Sequence, residues 1–196
     1  MKTSITFFAL IAGAILFSQC TEKQAAPAAS AENSQPASEE LRQRGEYLVS
    51  TMGCHDCHSP KQMGPQGPEI IPELMLSGYP SDRPYPKIDR SALPEGWVLF
   101  TPDLTSAMGP WGVSFAANIT SDASGIGAWS EEQFRKAIRE GKFKGLDGTR
   151  PLLPPMPWFN FAKLTDEDIR AIYTYLKSTP PVRNVPPNAI MPDQLN

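Results

Sequence analysis

The sequence predicts an all-α fold in which a few short helices are joined by long loops rich in proline and glycine. The chain has 21 prolines in 196 residues, about twice the usual share of about 5%. Helical periodicity is confined to a few short segments, and no strand patterns alternate with them. Because this is little regular structure for the length, we expect a group other than protein to fill the centre.

The composition is that of an ordinary globular protein. Hydrophobic residues make up 40%, aromatic residues 9% and charged residues 20% of the chain, and the formal net charge is −3. A nucleic-acid-binding surface requires a basic field. The charge balance therefore excludes nucleic acid as a partner.

The first residues have the pattern of a secretory signal peptide, predicted over residues 1–19. Lys2 supplies the positive start, and residues 5–17 form an apolar run shorter than the about 20 residues that span a bilayer. Cys20 closes this segment as in a bacterial lipoprotein, which predicts a lipid anchor and a periplasmic or cell-surface location. The alternative is cleavage after Ala28, which would discard Cys20 with the signal peptide. No later stretch has the length of a membrane span.

Three further regions are predicted along the chain. Residues 20–38 are small, polar and without periodicity, which is typical of a flexible tether. A domain is expected over residues 39–183, followed by an extended C-terminal tail over residues 184–196. Within the domain, the proline-rich residues 61–118 have no sustained period. A structureless stretch of this length is unusual unless it is functional, and we expect it to dock a partner.

Residues 39–52 are predicted to form the first helix of the domain, with Leu41, Leu48 and Met52 on one face. Gly45 lies between these residues. Glycine costs about 1 kcal/mol inside a helix. We therefore expect a neighbouring element to approach the helix closely at this position.

Residues 127–142 predict a second helix, in which Ser130 and Gln133 have the spacing of a capping box. The last helix is the clearest, because Thr165 provides an N-cap and Pro180 stops the helix. Its amphipathic stripe, spaced i, i+3, i+4 and i+7, consists of Ile169, Ile172, Tyr173 and Leu176.

The segment TMGCHDCHSP, residues 51–60, contains both histidines and two of the three cysteines of the chain. A zinc site, a redox-active thiol pair and a disulfide are three alternatives that explain the two cysteines poorly. A structural zinc site takes four ligands, usually from two separated Cys or His pairs, and no Cys or His follows His58. A redox-active C-x-x-C is typical of a βαβ context, which this sequence lacks. A structural disulfide between Cys54 and Cys57 is the third alternative.

The pattern C-x-x-C-H is the attachment motif of covalent haem, and it fits this segment at each position. Cys54 and Cys57 can place their sulfurs at the two vinyl groups on one porphyrin edge. His58 then brings its imidazole to the iron. His55 is an intervening residue that we expect to face solvent. No residue is expected to have a catalytic role as an acid or base.

No histidine remains for the opposite side of the iron, so a methionine is the expected sixth ligand. Ligation by Met and His raises the haem potential and suits electron transfer. Met156 lies among Pro154, Pro155 and Pro157, just before the last helix, in a loop that would hold its thioether in place. Met108 is the second candidate. The other methionines outside the signal peptide are Met52, Met63, Met75 and Met191.

These features make the chain similar to class I c-type cytochromes. Residues 116–141, AANITSDASGIGAWSEEQFRKAIREG, and residues 153–178, LPPMPWFNFAKLTDEDIRAIYTYLKS, resemble the cytochrome c modules of membrane-bound alcohol-type dehydrogenases. The resemblance covers residues 42–183. It implies a cytochrome c-like fold in which the first and last helices cross closely, with Gly45 facing the Tyr173 stripe. Those subunits usually carry several C-x-x-C-H motifs, whereas this chain has one.

The resemblance implies an electron carrier with one covalently attached haem c, rather than an enzyme. Its expected partners are redox proteins, with a dehydrogenase upstream and an oxidase or reductase downstream. Two alternatives stay open. A sensor or small-ligand binding module would have an open or labile sixth site on the iron, and a haem enzyme such as a peroxidase would need a distal acid–base group.

Overall fold

The computed structural model describes residues 34–85 and 96–195, with side chains from residue 38 onward. The predicted signal peptide and Cys20 lie outside the described residues. In chain order the helices are α1 (Ser34–Thr51), α2 (Cys54–His58), α3 (Glu131–Glu140), α4 (Trp158–Phe161) and α5 (Asp166–Ser178). The strands are β1 (Lys61–Gly64), β2 (Gly67–Ile70), β3 (Leu99–Phe100), β4 (Ser106–Gly109) and β5 (Gly112–Phe115). Residues 34–38, predicted as part of the tether, belong to helix α1.

Helices α1 and α5 cross at Gly45. A Cβ at residue 45 would overlap the carbonyl oxygen of Ala171 and would lie 2.7 Å from the Cβ of Tyr175. The two backbones approach so closely that only glycine fits between them. The close crossing is as expected, but the residues opposite Gly45 are Ala171 and Tyr175, which lie beside the predicted Tyr173 stripe rather than in it.

The main core lies between α1, α3 and α5. Its buried side chains are Val49, Leu76, Ile126, Phe134, Ile169, Ile172, Tyr175 and Leu176. Most of these residues come from the three helices, which explains why the helical periodicity was visible in the sequence. Leu76 and Ile126 come from loops that cover the helix crossing.

Both predicted N-caps are present. Ser130 Oγ accepts a hydrogen bond of 3.1 Å from the backbone N–H of Gln133, and Thr165 Oγ accepts one of 3.1 Å from that of Asp168. The side chain of Gln133 donates to the carbonyl of Lys144 at 2.8 Å, so the reciprocal half of the capping box is absent. Each cap satisfies an N–H that has no partner within its helix.

Two small antiparallel sheets occupy the proline-rich segment, so the all-α prediction was wrong for this part of the chain. Strand β1 pairs with β2, and β4 pairs with β3 on one side and β5 on the other. These strands are two to four residues long. A strand of typical length has about five to six residues, and alternation over four residues is too short to detect in a sequence.

The C-terminal segment packs against the second sheet. Ile190 exchanges backbone hydrogen bonds of 2.8 and 2.9 Å with Val113. Leu195 is buried with Met108 and Val113 in a second, smaller core. Asn184 Nδ2 donates to the carbonyl oxygens of two residues in the loop before β3, Ser77 and Tyr79. The segment therefore covers one edge of the sheet.

Across residues 34–85 and 96–195, we find no helix that combines the length and the apolar character of a membrane span.

Candidate functional site

Helix α2 is a single turn that carries both cysteines and the second histidine of the motif. Gly53 precedes it in the left-handed region, at φ 72°, and its carbonyl accepts a hydrogen bond of 3.0 Å from the N–H of Asp56. Glycine takes this conformation at no steric cost. Residues spaced i, i+3 and i+4 lie on one face of a helix. Cys54, Cys57 and His58 therefore share a face.

The two thiols are not set up for thiolate chemistry. Both cysteines are free, and burial raises the pKa of Cys54 to about 11. Burial, together with the charge of Asp56, also raises the pKa of Cys57. Redox-active cysteines act as thiolates and have lowered pKa values. In addition, no group of three or more His, Cys, Asp or Glu residues that could hold a metal ion occurs among the described residues.

His58 is held in a single tautomer. Its Nδ1 lies 2.7 Å from the carbonyl oxygen of Ala117, and because a carbonyl can only accept, Nδ1 carries the proton. Burial lowers the pKa of His58, so the ring is neutral at pH 7. The bond through Nδ1 is the one hydrogen bond of this ring within the described part of the chain, which leaves the Nε2 lone pair available. This is the usual arrangement of a metal-binding histidine.

The Ala117 carbonyl is itself fixed relative to α2. The N–H of Gly78 donates to the carbonyl of His58 at 2.8 Å, and the N–H of Tyr79 donates to the carbonyl of Ala116 at 3.0 Å. Gly78 has φ 76°, and a Cβ there would overlap Ala116 and Ala117. The loop at Gly78 thus joins the end of α2 to the segment that orients its histidine.

His55 does not face solvent as we predicted. It is half-buried, and its Nδ1 lies 3.0 Å from Ser59 Oγ. Ser59 Oγ also accepts a hydrogen bond of 3.0 Å from the N–H of Leu76. Burial lowers the pKa of His55, which indicates a neutral ring. His55 therefore connects the motif to the core residue Leu76.

Met156 is half-buried in the loop between α3 and α4. Its N–H donates to the carbonyl of Leu153 at 3.2 Å, and the N–H of Leu152 donates to the carbonyl of Gly141 at 2.6 Å. The ring of Trp158 lies against Gly141, where a Cβ would come within 2.5 Å of it. Both ends of the loop are therefore fixed to the C-terminus of α3.

The segments that carry His58 and Met156 converge on one stretch of chain. Ser114, in β5, donates a hydrogen bond of 2.7 Å from Oγ to the carbonyl of Pro154. Ala117, the hydrogen-bond partner of His58, is three residues further along, and three extended residues span about 10 Å. The ring of His58 and the loop that carries Met156 are therefore hydrogen-bonded to the same short segment, at Ala117 and at Ser114 respectively.

Met108, the second candidate ligand, lies in a different environment. It is 7% exposed and packs with Val113 and Leu195 in the second core. Met63 and Met191 are exposed, at 74% and 37%. Met52 and Met75 pack against the main core.

Arg150 provides an unpaired positive charge just before the Met156 loop. Its guanidinium stacks on the ring of Phe143 at 4.0 Å, and it donates to the carbonyl of Pro151 at 2.9 Å. It forms no ion pair with a carboxylate of the described residues, and burial lowers its pKa. A half-buried cation of this kind favours an anion nearby.

These groups fit a covalently bound haem. Two neutral thiols lie one helical turn apart beside an oriented, neutral imidazole. A thioether lies in a loop whose backbone is hydrogen-bonded at both ends. Sequence reasoning predicted four ligands, Cys54, Cys57, His58 and Met156, and these four remain a prediction. It missed Ala117 and Ser114, because a backbone carbonyl and a surface serine have no distinctive sequence signal.

The fold and the site define a c-type haem protein. Comparison with known proteins agrees, since the family model described as "Cytochrome c" matches residues 42–180. The chain therefore belongs to the cytochrome c family, whose members carry haem c.

Several curated proteins are similar to the chain. The gluconate 2-dehydrogenase cytochrome c subunit of Pantoea cypripedii is 28% identical over 171 residues, which cover 87% of this chain and 27% of that protein. The cytochrome c subunit of the quinone-type alcohol dehydrogenase of Gluconobacter oxydans is 32% identical over 146 residues, 74% of this chain and 23% of that protein. The fructose dehydrogenase cytochrome subunit of Gluconobacter japonicus is 29% identical over 175 residues, 89% of this chain and 26% of that protein.

The chain thus spans about a quarter of the length of each of these relatives. The resemblance to dehydrogenase cytochrome subunits expected from the sequence is confirmed.

Proposed function

We propose that this chain is a single-haem electron carrier of an exported respiratory system, attached to the membrane by a lipid on Cys20. The observation that carries the proposal is the 2.7 Å contact between His58 Nδ1 and the Ala117 carbonyl. It leaves a neutral Nε2 on the same helical face as two protonated thiols. This combination suits haem attachment, whereas thiol exchange requires a thiolate and a structural zinc site requires four ligands.

One haem c per chain is the proposed cofactor. The sulfurs of Cys54 and Cys57 would hold it through thioether bonds, and His58 Nε2 and the sulfur of Met156 would bind its iron. When bound, haem c supplies a one-electron couple between ferrous and ferric iron. Two protein ligands leave no coordination position for an external molecule, which favours electron transfer over catalysis or ligand sensing.

Two hydrogen bonds fix the groups that would bind the iron. The Ala117 carbonyl holds the ring of His58, and Ser114 holds the backbone of the Met156 loop at Pro154. Neither contact depends on a long, flexible side chain. Ligands held in this way would not have to rearrange, so the haem would exchange electrons with little structural change.

The names of the relatives support a dehydrogenase as the partner that delivers electrons. All three of these relatives are cytochrome subunits, of a gluconate 2-dehydrogenase, a quinone-type alcohol dehydrogenase and a fructose dehydrogenase. We propose a redox enzyme of this class upstream and an oxidase or reductase downstream. The chain would then perform, with one haem, the electron-transfer task of such a subunit.

The first test is an optical spectrum of the purified, dithionite-reduced protein with and without carbon monoxide. The protein is produced in a host that attaches haem c. A c-type spectrum that does not change with carbon monoxide supports the carrier. A c-type spectrum that shifts indicates an open or labile sixth position and favours the sensor. Absence of haem bands would refute the proposal.

The lipid anchor has a separate test. The wild-type protein and a Cys20→Ser variant are expressed with the native leader and partitioned between detergent and aqueous phases. We expect the wild type in the detergent phase and the variant in the aqueous phase. Equal partitioning of the two proteins would remove the anchor from the proposal without affecting the haem site.

A further inference from the structure

Lys61, at the start of β1, makes an unusual set of contacts. Its Nζ donates to the carbonyl oxygens of His55 at 3.2 Å, Asp56 at 2.7 Å, Ser59 at 3.1 Å and Asp103 at 3.1 Å. A lysine ammonium has three N–H donors, so four acceptors around it satisfy its hydrogen-bonding capacity. The side chain is half-buried by these contacts.

Three of the four acceptors belong to helix α2, which we call the attachment turn, or to Ser59, which follows it. The carbonyls at the C-terminal end of a helix lack partners within the helix and carry partial negative charge. Lys61 satisfies the carbonyls of His55, Asp56 and Ser59 together. The fourth acceptor, Asp103, lies in the turn between β3 and β4. The hydrogen bonds of Lys61 therefore link α2 to the turn between β3 and β4.

The charge of Lys61 is not neutralised by an ion pair. The nearest acidic side chain on the sheet, Asp103, is bound by Arg83 at 2.6 Å and by Thr105 at 2.9 Å. Lys61 forms no salt bridge with a carboxylate in the described part of the chain. Asp56 lies on α2 as well, and its charge and that of Lys61 have opposite effects on the pKa of Cys57. Removing the cation of Lys61 would therefore make the charge beside the attachment turn more negative.

We propose that Lys61 is a positioning residue for the haem, which fixes the attachment turn and raises the reduction potential of the iron. The proposal rests on the function proposed above. Reduction lowers the positive charge of the haem site by one, so a nearby cation stabilises the reduced state relative to the oxidised state. A half-buried cation is screened by water and salt less than an exposed one.

The test compares the reduction midpoints of the holoprotein and of Lys61→Met, Lys61→Gln and Lys61→Arg variants by spectroelectrochemistry. We expect Lys61→Met and Lys61→Gln to lower the equilibrium constant for reduction about three- to tenfold, which is about 30 to 60 mV at 59 mV per tenfold. Lys61→Arg, which keeps the charge, should stay near the wild type. Lys163→Met is the matched control, because Lys163 is exposed and makes no side-chain hydrogen bond within the described residues.

Three results would overturn the proposal. One is a wild-type midpoint in Lys61→Met or Lys61→Gln when the c-type spectrum is intact. Another is an equal decrease in Lys61→Arg, which would attribute the effect to packing rather than to charge. Failure of all Lys61 variants to attach haem, including Lys61→Arg, would also contradict a role for the charge. Absence of a c-type spectrum in the wild type would instead refute the proposed function.

Discussion

The hydroxyl of Ser114 donates a hydrogen bond of 2.7 Å to the carbonyl of Pro154, two residues before Met156. The hydroxyl oxygen of Ser114 also accepts a hydrogen bond of 3.3 Å from the indole N–H of Trp111. Ser114 lies in β5, and the chain continues directly to Ala117, which holds His58. The second sheet therefore supports both sides of the proposed iron site, although it was not visible in the sequence.

Replacing Ser114 with alanine should loosen the Met156 loop. The variant loses a hydrogen bond whose net contribution is about 1 kcal/mol, so the open form of the loop becomes about fivefold more populated. We expect optical titration to show carbon monoxide binding to the reduced variant at concentrations that leave the wild-type spectrum unchanged, because the open form is more populated. Ser178→Ala is the control, because its hydroxyl donates to Tyr175 within α5. Equal carbon monoxide affinities for the two variants would contradict the role of Ser114.

Removing Met156 should open the sixth coordination position. In Met156→Ala we expect covalent haem to remain, and the reduced spectrum to shift with carbon monoxide. Met108→Ala should not respond to carbon monoxide, but it should lower the free energy of unfolding by about 2–4 kcal/mol, because this side chain is buried. A shift in Met108→Ala and none in Met156→Ala would reverse the ligand assignment.

The crossing of α1 and α5 predicts that Gly45→Ala is destabilising. In an exposed helix this change would stabilise by about 1 kcal/mol. At Gly45 the new Cβ would overlap the carbonyl of Ala171, and overpacking of this kind costs about 1–3 kcal/mol. Urea unfolding measures the difference. Glu40→Ala, at an exposed position of the same helix, should change the free energy of unfolding by less than about 0.5 kcal/mol.

The ion pair between Arg44 and Asp168 should make stability depend on pH. Burial alone would raise the pKa of Asp168, but hydrogen bonds from Thr165 and from Arg44 at 2.7 Å outweigh it, so the net pKa lies below its ordinary value of 3.8. The ionised form therefore stabilises the fold above the ordinary pKa, and this contribution is lost as the pH falls through the lower folded pKa.

The variant that tests this ion pair is Asp168→Asn. We expect it to unfold about 1 kcal/mol more easily than the wild type at pH 7, since Arg44 is half-exposed and the interaction is screened. The difference should shrink below about pH 4. Glu167→Gln, a change of an exposed neighbour on the same turn, should show no such trend. A constant difference from about pH 7 to about pH 2.5 would contradict the ion pair as the cause.

Local features of the structure could be predicted from the sequence because they depend on residues close together in the chain. The spacing of Cys54, Cys57 and His58 requires one helical turn to bring them to one face. Ser130 and Thr165 cap helices through bonds to residues three positions away. Gly45 indicated a close approach because glycine in a helix is costly without one.

Other features depend on contacts between residues far apart, and only the tertiary structure decided them. The partner of His58 is a backbone carbonyl 59 residues away. Every residue has a backbone carbonyl, so the side chain of Ala117 does not indicate this contact in the sequence. Ser114 and Pro154 are 40 residues apart, and Arg44 and Asp168 are 124 apart. The short strands between residues 61 and 115 form because tertiary packing, rather than local periodicity, stabilises them.

The sequence by itself determined the chemistry of this protein, namely the motif that can hold a haem, the loop that offers a methionine and the two helices that cross beside them. The tertiary structure decided which groups contact the segments that carry the proposed ligands: the Ala117 carbonyl, the Ser114 hydroxyl and the Lys61 ammonium. The physical reason is that a ligand is defined by its own side chain, whereas its orientation is defined by hydrogen bonds to distant segments, which exist only when the chain is folded.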